Sequence, residues 1–215
     1  MQKHLDLTRQ RVKQFASEER LKGKIYTHRS PVKLSAYAAP DRISYQDAML
    51  GGYQPIEIGF KFAPAWSTHW VKVEMDVPAD WKGKEVHFLW DSTSEACVWQ
   101  DGQPKQGLTG SGSGWAALSV RSDYPLTKSA MGGEQIELYV EVAVNTLFGI
   151  GGHSPTDFTG LLQRAELAVF DREAWDLYWD FVVLSDMALQ LPANTPRGGQ
   201  AIFRGQCHSQ RDRSE

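Results

Sequence analysis

The chain has 215 residues, 41% of them hydrophobic and 11% aromatic, enough for one sizeable core with appendages. A net charge of -3 and a pI near 6.1 argue against nucleic acid as a partner. No apolar run approaches the ~20 residues needed to span a bilayer, so no membrane partner is expected. The opening MQKHLDLTRQRVKQF is charged throughout and has no apolar signal region. Two cysteines, Cys97 and Cys207, make no disulfide framework, and both features point to the cytoplasm.

Taken in order, residues 1–23 read as an N-terminal helix, with Leu5, Val12, Phe15 and Ala16 near one stripe and Gly23 as its stop. Residues 24–64 lack a clean period and are expected to wrap a sheet domain as loops and short edge pieces. Within them Ser44 can cap a single helical turn ended by Gly51-Gly52. From Trp66 the pattern sharpens. Val71, Val73, Met75 and Val77 alternate with Trp70, Lys72, Glu74 and Asp76, the period of a half-buried strand. Val86, Phe88 and Trp90 restart the alternation after a turn at 81–84. A third strand at 96–100 runs into Asp101-Gly102, a hairpin signal because both residues tolerate positive φ. Cys97 reads as a small core residue of that strand.

Residues 107–114, GLTGSGSG, read as a loop, 115–120 as a strand, and 122–133, with Pro125 and Gly132-Gly133, as a turn region. Ile136, Leu138, Val140 and Val142 then mark a strand, and Ala165, Leu167 and Val169 another. Many short strands with turns between them predict a mainly β fold: a jelly-roll-like antiparallel β-sandwich over 24–170 with flanking helices. Six of the eight tryptophans fall between Trp66 and Trp115, which places the core in the sheets. Asp171 caps a C-terminal linker helix over 171–191 that carries apolar residues on two stripes. It calls for cover on two sides, one from the β-domain and one from a partner. The polar, arginine-rich 192–215 is expected to be a disordered tail.

The runs FKFAPAWSTHWVKVEMDVPADW, SEACVWQDGQPKQGL, IELYVEVAVNTLFGIGG and LLQRAELAVFDREAW together carry a resemblance. They resemble the β-rich N-terminal domain of cytosolic-type α-mannosidases, glycoside hydrolase family 38. In that family the domain precedes the catalytic core. The core's metal motif, a His-x-Asp in a CHIDTAW-type run, does not occur here; Cys207-His208-Ser209 is the nearest string and lacks the Asp and the Trp. The resemblance implies an accessory region truncated before its chemistry and inactive alone. A full-length protein would hydrolyse α-mannosidic bonds of free oligosaccharides with a divalent metal, zinc or cobalt, and an Asp nucleophile. The implied partners are the remaining catalytic domain or other subunits of the mannosidase. No cofactor is assigned to this chain.

The residues themselves suggest little catalysis. Glu137 and Glu141 share a strand face but stand roughly 13 Å apart at ~3.3 Å per residue, beyond the ~5–9.5 Å of glycosidase carboxylate pairs. The six histidines are dispersed, and neither a nucleophile elbow nor a phosphate loop is present. The remaining class is binding. Trp99, Trp115, Tyr139 and His69 are the candidate sugar-contacting residues of a carbohydrate-binding module for mannose-containing oligosaccharide. An oligomerisation module is the other alternative.

Overall fold

The computed structural model describes residues 7, 10, 11, 14, 15, 20–111, 120–146, 149, 150, 153, 154, 156–191 and 195–201. The chain divides into two compact units, His28–Val169 and a second built from Met1–Thr27 with Phe170–Glu215.

The larger unit takes its strands from β1 (Tyr26–Pro31), β2 (Lys33–Ala38), β3 (Gln54–Pro55), β4 (Lys61–Phe62), β5 (Thr68–Asp76) and β6 (Val86–Asp91). They continue through β7 (Glu95–Gln100), β8 (Gln103–Thr109), β9 (Asp123–Thr127), β10 (Gln135–Ala143), β11 (Gly160–Leu161) and β12 (Arg164–Phe170). One sheet has the order β1-β12-β6-β9, the other β3-β2-β5-β10-β7-β8, and β11 pairs with β4. The central pairings are antiparallel: Leu138 lies opposite Val73, and Val140 opposite both Val71 and Val98. These side chains share a face and pack in one core with Val86, Phe88 and Trp90 of β6 and Leu167 of β12. Each fully buried aliphatic or aromatic side chain contributes about 1.5–3 kcal/mol, so this shared face is what joins the sheets into a sandwich.

Several elements follow the sequence closely. β12 spans the run read from Ala165, Leu167 and Val169. Asp101 and Gly102 both have positive φ, 54° and 74°, in the β7–β8 hairpin. Ser44 caps α1 (Tyr45–Met49) by accepting from the Asp47 N–H at 3.1 Å.

Other readings are corrected. Within 24–64, β2 is an inner strand of the larger sheet, not an edge piece, while β1 belongs to the other sheet. The chain changes sheets at Val32, and that change hides any single period. The 122–133 segment contains β9, whose Pro125 is accommodated because β9 is an edge strand and its pairing with β6 shifts register between Val86 and His87. The 107–114 loop is strand up to Thr109, since Gly107 and Leu108 pair with Cys97 and Ala96. The strand expected at 115–120 lies outside the described residues except Val120. Cys97 is half-buried opposite Glu141, on the face away from the core; Val98 is the core residue.

In the smaller unit, α2 (Arg172–Gln190) begins where Asp171 accepts from the Ala174 N–H at 2.9 Å. Of the N-terminal helix, Leu7, Gln10, Arg11, Gln14 and Phe15 are described, and all are helical. Phe15 and Leu21 pack on Phe181 of α2, with the Phe15 and Phe181 rings 4.6 Å apart. The Asp171 N–H donates to the Ile25 carbonyl at 2.8 Å, tying the segment before β1 to the start of α2. One apolar stripe of α2 is thus covered by the chain's own beginning, whereas Trp175, Trp179 and Val183 remain exposed. Of the tail expected to be unstructured, residues 196–201 are helical, with Ala201 buried against Ala188. The rest of 192–215, apart from Thr195, lies outside the described residues. No helix among the described residues is long and apolar enough to cross a membrane.

Candidate functional site

The outward face of the larger sheet gathers most of the sequence's aromatic and acidic candidates. Alternation sends Trp70, Lys72 and Glu74 of β5 to this side, opposite Glu141, Tyr139 and Glu137 of β10. Trp99 of β7 lies opposite Tyr139. The segment around α1 crosses this face and roofs it. Tyr45 stacks on Trp99 at 5.5 Å and 17°, and meets Tyr139 and Trp70 edge-on at 5.5 and 6.0 Å. Tyr53 adds a further edge contact to Tyr139 at 6.0 Å.

Polar groups ring this cluster. The Trp99 indole N–H donates to Glu141 Oε2 at 3.0 Å. Tyr139 donates to Glu137 Oε1 at 3.2 Å. Lys72 Nζ lies 3.0 Å from Glu137 and 3.4 Å from Glu74. Burial, then the Glu137 charge, pushes the Tyr139 phenol up to about 12. Burial also raises Tyr45 and Tyr53, and the Glu137 hydrogen bond raises Lys72. The buried Trp70 indole N–H and Tyr53 hydroxyl have no hydrogen-bond partner among the described residues. Beside the cluster, Lys33, Glu74, Asp76, Gln135 and Glu137 line a shallow cleft of about 170 Å³. Its polar groups hold one another: Gln135 Nε2 donates to Asp76 Oδ1 at 2.8 Å.

Of the four predicted sugar-contacting residues, Trp99 and Tyr139 are neighbours here. Trp99 is half-buried under Tyr45, and Tyr139 is buried. His69 points the other way. It is 4% exposed, set against Phe62, and its Nε2 lies 3.0 Å from the Ala63 carbonyl. Burial lowers its pKa, so the neutral ring is favoured there. Trp115 lies outside the described residues. Glu137 and Glu141 are divided between different partners, Lys72 and Trp99, and each forms part of the wall. Among the described residues no three His, Cys, Asp or Glu side chains converge to hold a metal ion. The donor set of the described residues therefore does not fit a catalytic zinc or cobalt.

Two features escaped sequence reasoning. His87 is buried on β6 with Nε2 3.2 Å from Glu85 and Nδ1 3.5 Å from Asp123. The plain alternation of that strand had left it on a wet face, but all six residues of β6 are buried. Trp66 is the second: 60% exposed, with a backbone φ of 67°. Its place just before β5, after Pro64, was visible, but its exposure was not.

A family described as "Alpha-mannosidase, jelly roll domain" matches residues 30–168. "Alpha-mannosidase G" of Dictyostelium discoideum is 36% identical over 215 residues, covering 94% of this chain and 19% of that protein. "Alpha-mannosidase 2C1" of Homo sapiens is 37% identical over 216 residues, covering 94% of this chain and 20% of that protein. The chain thus spans about a fifth of the length of the curated relatives it matches. Among solved structures, a β-glucuronidase from Ruminococcus gnavus in complex with a C6-substituted uronic isofagomine aligns with a TM-score of 0.47 at 13% identity. That alignment covers 67% of this chain and 29% of the glucuronidase.

Proposed function

Because this chain belongs to the family of α-mannosidase jelly-roll domains, we propose that it is the non-catalytic accessory region of an α-mannosidase and precedes the catalytic part. The carrying observation is the pairing of a family match over residues 30–168 with relatives about five times longer. The absence of a converging metal-ligand set among the described residues supports the same reading. The longer protein hydrolyses α-mannosidic bonds of free oligosaccharides as a glycoside hydrolase of family 38, with a divalent metal held outside this region. It works in the cytoplasm, a reading supported by the resemblance to cytosolic-type enzymes and by Cys97 being a free thiol. The partner of this region is the remaining catalytic domain.

The test is a transplant. The region of human α-mannosidase 2C1 that matches this chain is replaced by it, and hydrolysis of an aryl α-mannoside is measured. The chimera is expected to retain activity, whereas the chain alone, with zinc or cobalt added, should not exceed the buffer blank. Turnover by the isolated chain that survives repurification and is lost in Glu137→Gln, Glu141→Gln or His153→Ala would overturn the accessory reading.

A further inference from the structure

The outer side of α2 is left without cover. Its buried side is Ala174, Phe181, Ser185 and Ala188. Trp175, Trp179, Val183 and Asp186 follow one another at spacings of four, four and three, so they form one stripe away from that side. The three apolar members are exposed, Trp175 by 38%, Trp179 by 36% and Val183 by 55%. The two indoles do not stand alone. Their ring centroids are 6.2 Å apart in an edge contact, Trp175 meets Phe170 at 6.3 Å, and Trp179 meets Tyr178 at 5.2 Å. Tyr178 in turn packs against Phe15, Leu21 and Phe181. This aromatic ladder is held from the unit's own core and presents part of each indole to solvent.

The charges beside the stripe are of one sign. Asp176 and Asp180 each follow a tryptophan by one residue, Asp186 closes the stripe, and Glu173 lies in the first turn; all four are exposed. None of these carboxylates makes an ion pair among the described residues. The one cation on α2 is Arg172, whose guanidinium lies 5.1 Å from the centre of the Phe170 ring. A partner for this face has to cover indoles and bring positive charge. A second copy laid stripe to stripe would set carboxylates against carboxylates, and an anionic lipid surface would meet the same repulsion. Arginine and lysine satisfy both demands, since their cations pair with carboxylates and lie over indole faces.

We propose that this face of α2 docks an amphipathic helix bearing arginine or lysine, supplied by the remainder of the mannosidase polypeptide. α2 lies past residue 168, where the jelly-roll match ends. It nevertheless lies inside the alignments with the longer relatives, which cover 94% of this chain and leave fewer residues unmatched than follow α2. The helix therefore belongs to a part shared with proteins most of whose length is elsewhere. A segment of that length is tethered to α2 and meets it at high effective concentration. A stripe repeating at three and four residues is what a facing helix fits, through anchors at the same spacing. The assignment of that helix to the same polypeptide rests on the accessory reading; the demand for positive charge does not.

The experiment places Val183→Cys in the 215-residue chain and in the chimera with human α-mannosidase 2C1, and follows maleimide labelling at that position by mass spectrometry. The introduced thiol should label freely in the chain and about tenfold more slowly in the chimera, the scale of a covered against an open surface. Adding Asp176→Lys and Asp180→Lys should restore fast labelling in the chimera. The charge demand is tested separately by titrating the chain with two synthetic amphipathic helices, one of leucine and arginine, the other of leucine and glutamate. The arginine peptide should bind about tenfold tighter at low salt, and the two lysine substitutions should reverse the order. Equal affinities for the two peptides, or undiminished protection in the charge-reversed chimera, refute the proposal. So does a molar mass of the chain in light scattering that is a multiple of 24.2 kDa and falls in Trp179→Ala, which would assign the face to a second copy. An active chimera that labels as fast as the chain sinks the docking and leaves the accessory reading standing. An inert chimera that still protects the thiol does the reverse.

Discussion

Replacing Tyr45 by alanine removes the roof of the aromatic cluster. Its ring makes three contacts, stacked on Trp99 and edge-on to Trp70 and Tyr139, with centroids 5.5–6.0 Å apart. Each such pair is worth about 0.5–1.5 kcal/mol beyond area burial. The three share one ring that is only half-buried, so the loss lies below their sum. A destabilisation of about 2–4 kcal/mol results, roughly 5–15 °C in melting temperature for a domain of this size. Tyr45→Phe keeps the ring and should lose about 1 kcal/mol or less, the worth of one hydroxyl hydrogen bond. The assay is urea unfolding followed by tryptophan emission, with acrylamide quenching of the native state. Trp99 should become more accessible to acrylamide in Tyr45→Ala. If stability changes by less than about 0.5 kcal/mol and quenching is unaltered, α1 is not the cover assigned to it, and Trp99 is open to ligand after all.

Phe181→Ala empties the contact with Phe15 and Leu21 and should cost about 3–5 kcal/mol. Limited proteolysis should then cut α2 while the sandwich stays intact. Val183→Lys, on the exposed side, should stay within about 0.5 kcal/mol, and cleavage of both variants alike would refute the packing. Tyr139, Tyr45 and Tyr53 all have phenol pKa values raised in the fold, chiefly by burial. The unfolded phenols release their protons first, near pH 10, so this contribution is complete below pH 10 and lost as pH climbs through about 12. Melting temperature should fall steeply from pH 10 to 12, and less steeply in a Tyr139→Phe variant; a flat profile would contradict the burial. Gly110→Ala would put a Cβ 2.6 Å from the Ser94 amide nitrogen and 2.7 Å from the Thr93 Cα, all backbone, and should destabilise strongly. Gly52→Ala, with nothing within 4 Å, is its silent control.

The sandwich was legible wherever one strand face is buried and the other wet. β5 and β10 show this: Val71, Val73, Leu138 and Val140 alternate with charged residues, and their registers follow that alternation. Legibility failed where both faces are covered, as in β6, because His87 and Asp91 look like surface residues to a period-two reading. It failed again at β9, where Pro125 read as a turn although an edge strand tolerates the missing N–H. Among the site residues, the pairing of Trp99 with Tyr139 followed from strand phase. His69, one step from Trp70 on β5, faces the core, so its strand phase excludes it from the outward aromatic cluster. The roof over Trp99 could not be read, since it depends on a loop of some thirty residues folding back over the sheet. The left-handed backbone of Trp66, with φ 67°, is likewise not encoded in composition.

The smaller unit joins segments that lie far apart in the sequence, and this imposes an order in time. Phe15 and Leu21 leave the ribosome first, and the Phe181 ring that covers them is made some 160 residues later. At about 5–20 residues per second the wait is roughly 10–30 s. During it the sandwich between them can close while the first helix has no apolar surface of its own unit to bury against. A chaperone that recognises short apolar helices has its opportunity in that interval, and a stop codon placed just before α2 would prolong it indefinitely.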